Sequence, residues 1–242
     1  MPEGPTVVIL KEEVQPFAGK TVIEAAGNSK IPLGTIQGQT IRQFKSWGKH
    51  FLICFNGFAL RVHFLMWGSY RINVERQLAP RLKLVFENGF VCFYSCAIRF
   101  IDRDPETIYD FSSDVMSDTW DTEKARAKVT THHESLVCDV LLDQEIFSGV
   151  GNIIKNEVLY RIKVHPESQT GKIPSNKIDE LVKEARNYSF DFYEWKKKFE
   201  LKKHWLAHNR KVCVRCNLPL VRRHTGLKNR RSFFCGNCQV LY

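Results

Sequence analysis

No apolar run in the chain approaches the roughly 18 to 20 residues that span a bilayer, so no transmembrane helix is expected. The opening Met1-Pro2-Glu3-Gly4-Pro5 has neither a basic stretch nor a long apolar segment, which argues against a secretory signal. Internal repeats and low-complexity tracts are missing too. At 43% hydrophobic, 12% aromatic and 26% charged residues, the composition excludes a disordered or collagen-like chain. Acidic residues are the scarce charge, with 26 Asp and Glu against 36 Lys and Arg, a net of +10. These absences leave a soluble globular protein of 242 residues, enough for one large domain or two modest ones. An intracellular, reducing location is expected, cytoplasm or nucleoid in a bacterium and nucleus in a eukaryote.

The excess of base is unevenly spread. Residues 1–101 carry a net +6, residues 102–123 a net −7, residues 124–195 a net −1 and residues 196–242 a net +12. A basic segment of that density suits a polyanion such as nucleic acid. The bland alternative is a well-solvated lysine-rich end.

Three zones follow from the patterning. In the first, Val7, Leu10, Val14 and Phe17 recur at spacings of three and four. That predicts a short helix over Pro5–Phe17, with Pro5 in its first turn and Gly19 after its end. Strand-like runs follow at 21–25, 40–45, 50–55, 58–64, 82–86 and 90–94. Asn56-Gly57 and Asn88-Gly89 mark hairpins between them. This zone, 1–101, reads as a β-sandwich with a flanking helix. The acidic stretch 102–123, with Pro105 and few apolar residues, reads as a linker. Helical patterns at 134–143, 153–162 and 176–199 define a helical domain over 124–207. The last segment, 208–242, is too short for a core of its own and needs a staple. The fold class is therefore α+β.

Cysteine spacing supplies that staple. Cys213, Cys216, Cys235 and Cys238 form C-x₂-C-x₁₈-C-x₂-C, in which each tight turn aims two thiolates at one tetrahedral ion. One structural Zn²⁺ per chain is expected, with disulfides as the alternative and His224 as a nearby competing ligand. Cys54, Cys92, Cys96 and Cys138 sit in apolar contexts and read as buried hydrophobes. Between the two pairs lie Arg215, Arg222, Arg223, Lys228, Arg230 and Arg231, a set suited to phosphates.

Two weaker signals remain. Gly149-Val150-Gly151-Asn152 precedes an apolar-periodic run, with Asn152 placed as an N-cap. Such a helix start takes phosphate through amides and dipole, or is merely a turn between helices. At the N-terminus, removal of Met1 would expose Pro2 as a secondary amine, which titrates near ~8 as an α-amino group does. At a helix start the positive dipole end favours its neutral, nucleophilic form, and Glu3 beside it is placed to shuttle protons. Alone, Met-Pro-Glu is an ordinary beginning.

In combination and order, these motifs resemble the formamidopyrimidine-DNA glycosylase/endonuclease VIII family of base-excision repair enzymes. The resemblance runs from Pro2-Glu3-Gly4-Pro5 through Ser46-Trp47-Gly48-Lys49-His50-Phe51-Leu52 and His63-Phe64-Leu65-Met66-Trp67-Gly68-Ser69. It continues through Leu141-Leu142-Asp143-Gln144, Gly149-Val150-Gly151-Asn152 and Glu157 to Arg230 and Phe233-Phe234-Cys235-Gly236-Asn237-Cys238-Gln239. It implies a helix–two-turn–helix domain and a zinc-finger hairpin, facing the sandwich across a basic cleft. It also implies a glycosylase and abasic-site lyase that acts on damaged DNA as a monomer, with no membrane association and no cofactor in the active site. Pro2 would attack C1′ of a flipped nucleotide and form a Schiff base, with β- and then δ-elimination following. Glu3 matches the acid/base and Lys49 the hairpin lysine. Asn152 and Arg230 match residues that grip the flanking phosphates. Met66 matches the intercalating residue, although a lone strand methionine is more often core.

Two departures bear on substrate. Where the family carries Asp-Pro-Arg-Arg-Phe-Gly, this chain has Cys96-Ala97-Ile98-Arg99-Phe100-Ile101. Phe100 is retained as a DNA-contacting candidate. The arginine that reads the opposite base is replaced by Ile98, which points to tolerance of single-stranded or bubble DNA. The segment 200–212 is too short for the loop that covers 8-oxoguanine, which favours oxidised pyrimidines and ring-opened purines. The competing readings are a non-catalytic, damage- or structure-recognising DNA-binding protein on the same scaffold, and an RNA-binding zinc ribbon. The first leaves Pro2, Glu3 and Lys49 without purpose, and the second leaves the N-terminus unexplained.

Overall fold

The computed structural model describes residues 2–242. They form two compact units, 2–110 and 111–242.

The first unit begins with helix α1 (Gly4–Glu13). Glu3 is extended at its N-cap, and the Thr6 hydroxyl closes the first turn by accepting from Glu3 N–H (3.0 Å) and donating to Glu3 C=O (2.7 Å). Val7, Leu10, Val14 and Phe17 bury one stripe, as their spacing predicts, and Phe17 closes a short 3₁₀ turn. Strand β1 (Glu24–Ala26), a one-turn helix α2 (Leu33–Ile36), β2 (Gln43–Trp47), β3 (His50–Cys54), β4 (Ala59–His63), β5 (Ser69–Ile72), β6 (Leu82–Phe86), β7 (Gly89–Tyr94) and β8 (Ala97–Ile101) follow. They make two antiparallel four-stranded sheets, β1-β6-β7-β5 and β2-β3-β4-β8, the expected sandwich. Both hairpin signals fall between paired strands. Gly89 has φ +141°, and a Cβ there would lie 2.2 Å from Asn73 Oδ1, so glycine is required. The core joins α1 to alternate residues of the strands, including Phe44, Phe51, Ile53, Leu60, Val62, Leu84, Val91 and Phe93. Cys54, Cys92, Cys96 and Cys138 are buried, and desolvation raises all four thiols, Cys54 to about 11 and Cys96 to about 12.

The second unit contains α3 (Thr122–Thr131), α4 (Val137–Val140), α5 (Asn152–Arg161) and α6 (Ser175–Lys197), then the hairpin β9 (Val221–Thr225) and β10 (Arg230–Phe234). Helix α6 buries Ile178, Leu181, Val182, Ala185, Tyr188 and Phe192 against α5. The helix expected over 134–143 is a single turn. The N–H groups of Val137 and Cys138 donate instead to the carbonyls of Ser168 and Pro166, outside any helix.

The acidic stretch 102–123, expected as a linker, is packed and divides between the units. Pro105 is buried, Glu106 pairs with Lys45, and Trp47 Nε1 donates to Asp110 C=O at 2.9 Å. Beyond it, Ser113, Asp114 and Val115 are buried, and Arg186 Nη1 donates to the carbonyls of Val115 (3.0 Å) and Ser117 (2.9 Å). Three of its other carboxylates act locally. Asp104, Asp114 and Asp121 each accept a backbone N–H at 2.9 Å, from Glu106, Met116 and Lys124. Asp121 thereby caps α3, a helix that the patterning missed because only Ala125 and Val129 of it are buried.

Candidate active site and metal centre

In the first unit, the helix start places Pro2 half-buried beside Glu3, which is 0% exposed. Helix α1 packs on β2 and β3, the hairpin whose turn is Gly48-Lys49. Gly48 is buried with φ +52°, and Lys49 is half-buried. Trp47 closes this end of the sheet, its ring 4.9 Å from Tyr109 and 5.5 Å from His50.

The strand register then lines up groups that the motif comparison did not assign a role. Arg61 stands directly opposite Arg99 across β4 and β8, and His50 opposite His63 across β3 and β4. Like charges facing one another across strands are destabilising unless an anion joins them. Burial, then Arg61, His63, Lys49 and Arg99, push the His50 imidazole down to about 3. Burial, Lys49 and Arg61 lower His63 as well. Both rings are therefore neutral beside a cationic patch. Arg61 and His63 carried a legible signal: they alternate with the core residues Leu60 and Val62 on β4.

The β4–β5 connection displays Leu65, Met66 and Trp67, with Met66 52% and Trp67 83% exposed. It is tight, since Gly68 N–H donates to Phe64 C=O at 2.7 Å, and a Cβ on Gly68 would lie 2.2 Å from that oxygen. Met66 is thus at a loop tip and not in the core. Phe100 is placed differently from the expectation. It lies within β8 opposite Leu60, half-buried, its ring stacked 4.9 Å from Phe58. The connection from β7 to β8 is only Ser95-Cys96, with Cys96 buried, so Phe100 sits on a strand and not on a loop. Phe100 packs within the sandwich while staying half-exposed.

In the second unit, the double turn between α4 and α5 is braced by one amide. Gln144 Nε2 donates to the carbonyls of Leu142 (3.0 Å) and Val150 (3.2 Å), while its Oε1 accepts from Gly149 N–H at 3.1 Å. Gly149, at φ +98°, permits the turn. Gly151 is the N-cap, so Asn152 is the first helical residue and not the cap. Asn152 Nδ2 donates to Arg231 C=O at 2.9 Å, a carbonyl also reached by Asn156 Nδ2 (3.3 Å) and Lys155 Nζ (3.4 Å). This convergence, which spacing does not reveal, brings Asn152 beside the strand that begins at Arg230. Asn152 Oδ1 is buried with no partner among the described residues. The hairpin tip is tethered too. The Asp139 carboxylate accepts from Leu227 N–H (2.7 Å) and Lys228 N–H (3.0 Å). Glu157, fully buried, accepts from the N–H groups of Leu206, Ala207 and His208 at 2.8–3.1 Å, which pins that segment.

Cys213, Cys216, Cys235 and Cys238 converge, with all four sulfurs within 4.8 Å of one another. The Cys213–Cys238 and Cys216–Cys235 separations are 3.6 and 3.3 Å. Four bonds of about 2.3 Å to a tetrahedral zinc ion would set sulfurs about 3.8 Å apart, so the donor set fits that ion. His224 is exposed and outside the cluster.

Family models for the formamidopyrimidine-DNA glycosylase N-terminal domain and the formamidopyrimidine-DNA glycosylase H2TH domain match residues 1–102 and 111–188. The chain belongs to the formamidopyrimidine-DNA glycosylase/endonuclease VIII family. It is 32% identical over 232 residues to endonuclease 8-like 3 of Xenopus laevis, covering 90% of this chain and 38% of that protein. The chain thus spans about two fifths of the length of that relative. It is 26% identical to the formamidopyrimidine-DNA glycosylase of a Shewanella strain, covering 99% of this chain and 100% of that one. Among solved structures, the Lactococcus lactis formamidopyrimidine-DNA glycosylase, non-covalently bound to DNA containing an abasic site, superposes with a TM-score of 0.86. That match has 20% identity and covers 98% of this chain and 99% of the other. The family's fold of sandwich, helical domain and cysteine-held hairpin is thereby this chain's fold. No helix among the described residues is long and apolar enough to cross a membrane.

Proposed function

We propose that this protein is a bifunctional DNA glycosylase and abasic-site lyase of base-excision repair. The observation that carries this reading is the N-terminus. Pro2 is held at the positive end of α1 beside a fully buried Glu3, on the helix that packs against the Lys49 hairpin. With Met1 removed, the neutral Pro2 nitrogen attacks C1′ of the damaged nucleotide. The glycosidic bond breaks, and the base leaves with the bonding pair and takes up a proton. Glu3 protonates the ring oxygen as the sugar opens, leaving an iminium between C1′ and Pro2. Loss of a C2′ proton then expels the 3′ phosphate, a second elimination expels the 5′ phosphate, and water releases the amine.

The other groups act on charge. Lys49, with Arg61 and Arg99, supplies the cationic patch for backbone phosphates, beside the neutral His50 and His63 rings. Asn152 and Arg230 grip phosphates from the second unit. Met66 fills the space left by the flipped base. Zn²⁺ on the four cysteines folds the hairpin and has no open position for chemistry. Pinning of 206–208 by Glu157 and the shortness of 200–212 support oxidised pyrimidines and ring-opened purines over 8-oxoguanine. Burial of Ile98 at 9% exposure and the placement of Phe100 support tolerance of single-stranded DNA. The working location is inside the cell, on DNA.

Borohydride trapping on abasic-site and thymine-glycol oligonucleotides tests the nucleophile. Wild type is expected to yield a covalent complex, and Pro2→Gly or retained Met1 to yield none. Normal trapping in either variant would show that Pro2 is not the nucleophile.

A further inference from the structure

The cysteine cluster has a neighbour with no part in the reaction. Tyr160 lies on α5 and is 1% exposed, with its phenol oxygen 3.0 Å from Cys213 Sγ. A buried phenol requires a hydrogen-bond partner, and among the described residues this sulfur is the one it has. Cys213 serves a metal as thiolate, which only accepts, so the phenol is the donor. Arg215 sets its guanidinium 3.8 Å from the centre of the Tyr160 ring and hydrogen-bonds the Cys238 sulfur.

Four thiolates around a dication leave a net charge of −2 in a partly dry site packed with Tyr160, Ala207 and Phe233. Donors just outside the ligand shell spread that charge and hold the sulfurs in place. We propose that Tyr160, assisted by Arg215, is a positioning residue for the metal: its O–H holds the Cys213 thiolate and slows escape of the ion. Tyr160 shares α5 with Asn152, so the helix meets the hairpin twice. Near its start, Asn152 and Asn156 hold the Arg231 carbonyl; near its end, Tyr160 holds a metal ligand. Retention of the ion and the seat of the phosphate-gripping asparagine are thereby coupled through one helix.

The inference rests on the zinc reading, and the test separates the two. Metal analysis of the purified wild-type protein is expected to find one zinc per chain. Transfer of that zinc to a chromophoric chelator should run about tenfold faster in Tyr160→Phe. The thiolate-to-metal absorption band of the cobalt-substituted variant should shift, with far-UV circular dichroism unchanged. Arg215→Gln, at an exposed position, should also speed release and carries the test if Tyr160→Phe misfolds. Arg222→Gln, on the same hairpin but with no hydrogen bond to a cysteine sulfur among those the structure shows, should release zinc at the wild-type rate. Wild-type release rates and an unshifted band in the Tyr160 and Arg215 variants would overturn the proposal, as would equal acceleration in Arg222→Gln. Wild-type protein without bound zinc would overturn the zinc reading itself.

Discussion

His50 is a neutral ring in a cationic setting, with Nδ1 buried and unpartnered among the described residues. Its folded value of about 3 lies well below the ordinary 6.5. The unfolded chain therefore takes up a proton below pH ~6.5 that the folded chain refuses until near 3. The stability tied to this neutral ring is complete above about pH 6.5 and is lost as pH falls through that window. His50→Asn should blunt the loss, by on the order of 2 kcal/mol between pH 7 and 4. Urea denaturation of both proteins at the two pH values measures it, and an equal loss in both would remove His50 from the account. At the same scale, three backbone donors occupy the Glu157 carboxylate, so it anchors 206–208.

Among the elements, two short connections display exposed side chains on tightly held backbones. The β4–β5 loop exposes apolar groups on a turn closed by Gly68. The β9–β10 tip exposes Leu227 and Lys228 together, and the Asp139 carboxylate holds its backbone. Because Met66 and Trp67 are exposed, Met66→Ala and Trp67→Ala should change folding stability by less than about 0.5 kcal/mol. They should nevertheless lower kcat/KM for lesion excision about tenfold, a loss of about 1.4 kcal/mol in transition-state stabilisation. Thermal melts and single-turnover excision on one lesion distinguish this from a packing role, which would move both together. Phe100 shows the contrary case. A motif comparison put it among DNA contacts, but a strand register and a stack on Phe58 make it part of the sheet.

On the scale of the whole chain, each unit has its own core, and the second also carries the four-cysteine cluster whose donor set fits a metal ion. A strong chelator is expected to melt 208–242 and reduce affinity for abasic-site DNA at least tenfold. The melting transition of residues 2–110 should persist, which hydrogen exchange resolved along the chain would follow; equal loss of protection in both units would refute it. The +12 of residues 196–242 then acts only through a folded hairpin. Local spacing was enough for the two hairpins, the helix stripe at Val7, Leu10 and Val14, the convergence of four cysteines, the other buried cysteines and the order of the family motifs. Each of those signals lies within a few residues or a fixed short period, so backbone geometry alone makes it readable. The acidic stretch misled because its carboxylates cap turns, which composition does not distinguish from solvation. The grip of Asn152, Lys155 and Asn156 on the Arg231 carbonyl, the Arg61–Arg99 pairing, the neutral His50 and the Tyr160–Cys213 contact required the packed chain. The pairings among these reach from 38 positions, between Arg61 and Arg99, to 79, between Asn152 and Arg231, and His50 is enclosed by two neighbouring strands; such contacts close only when cores form.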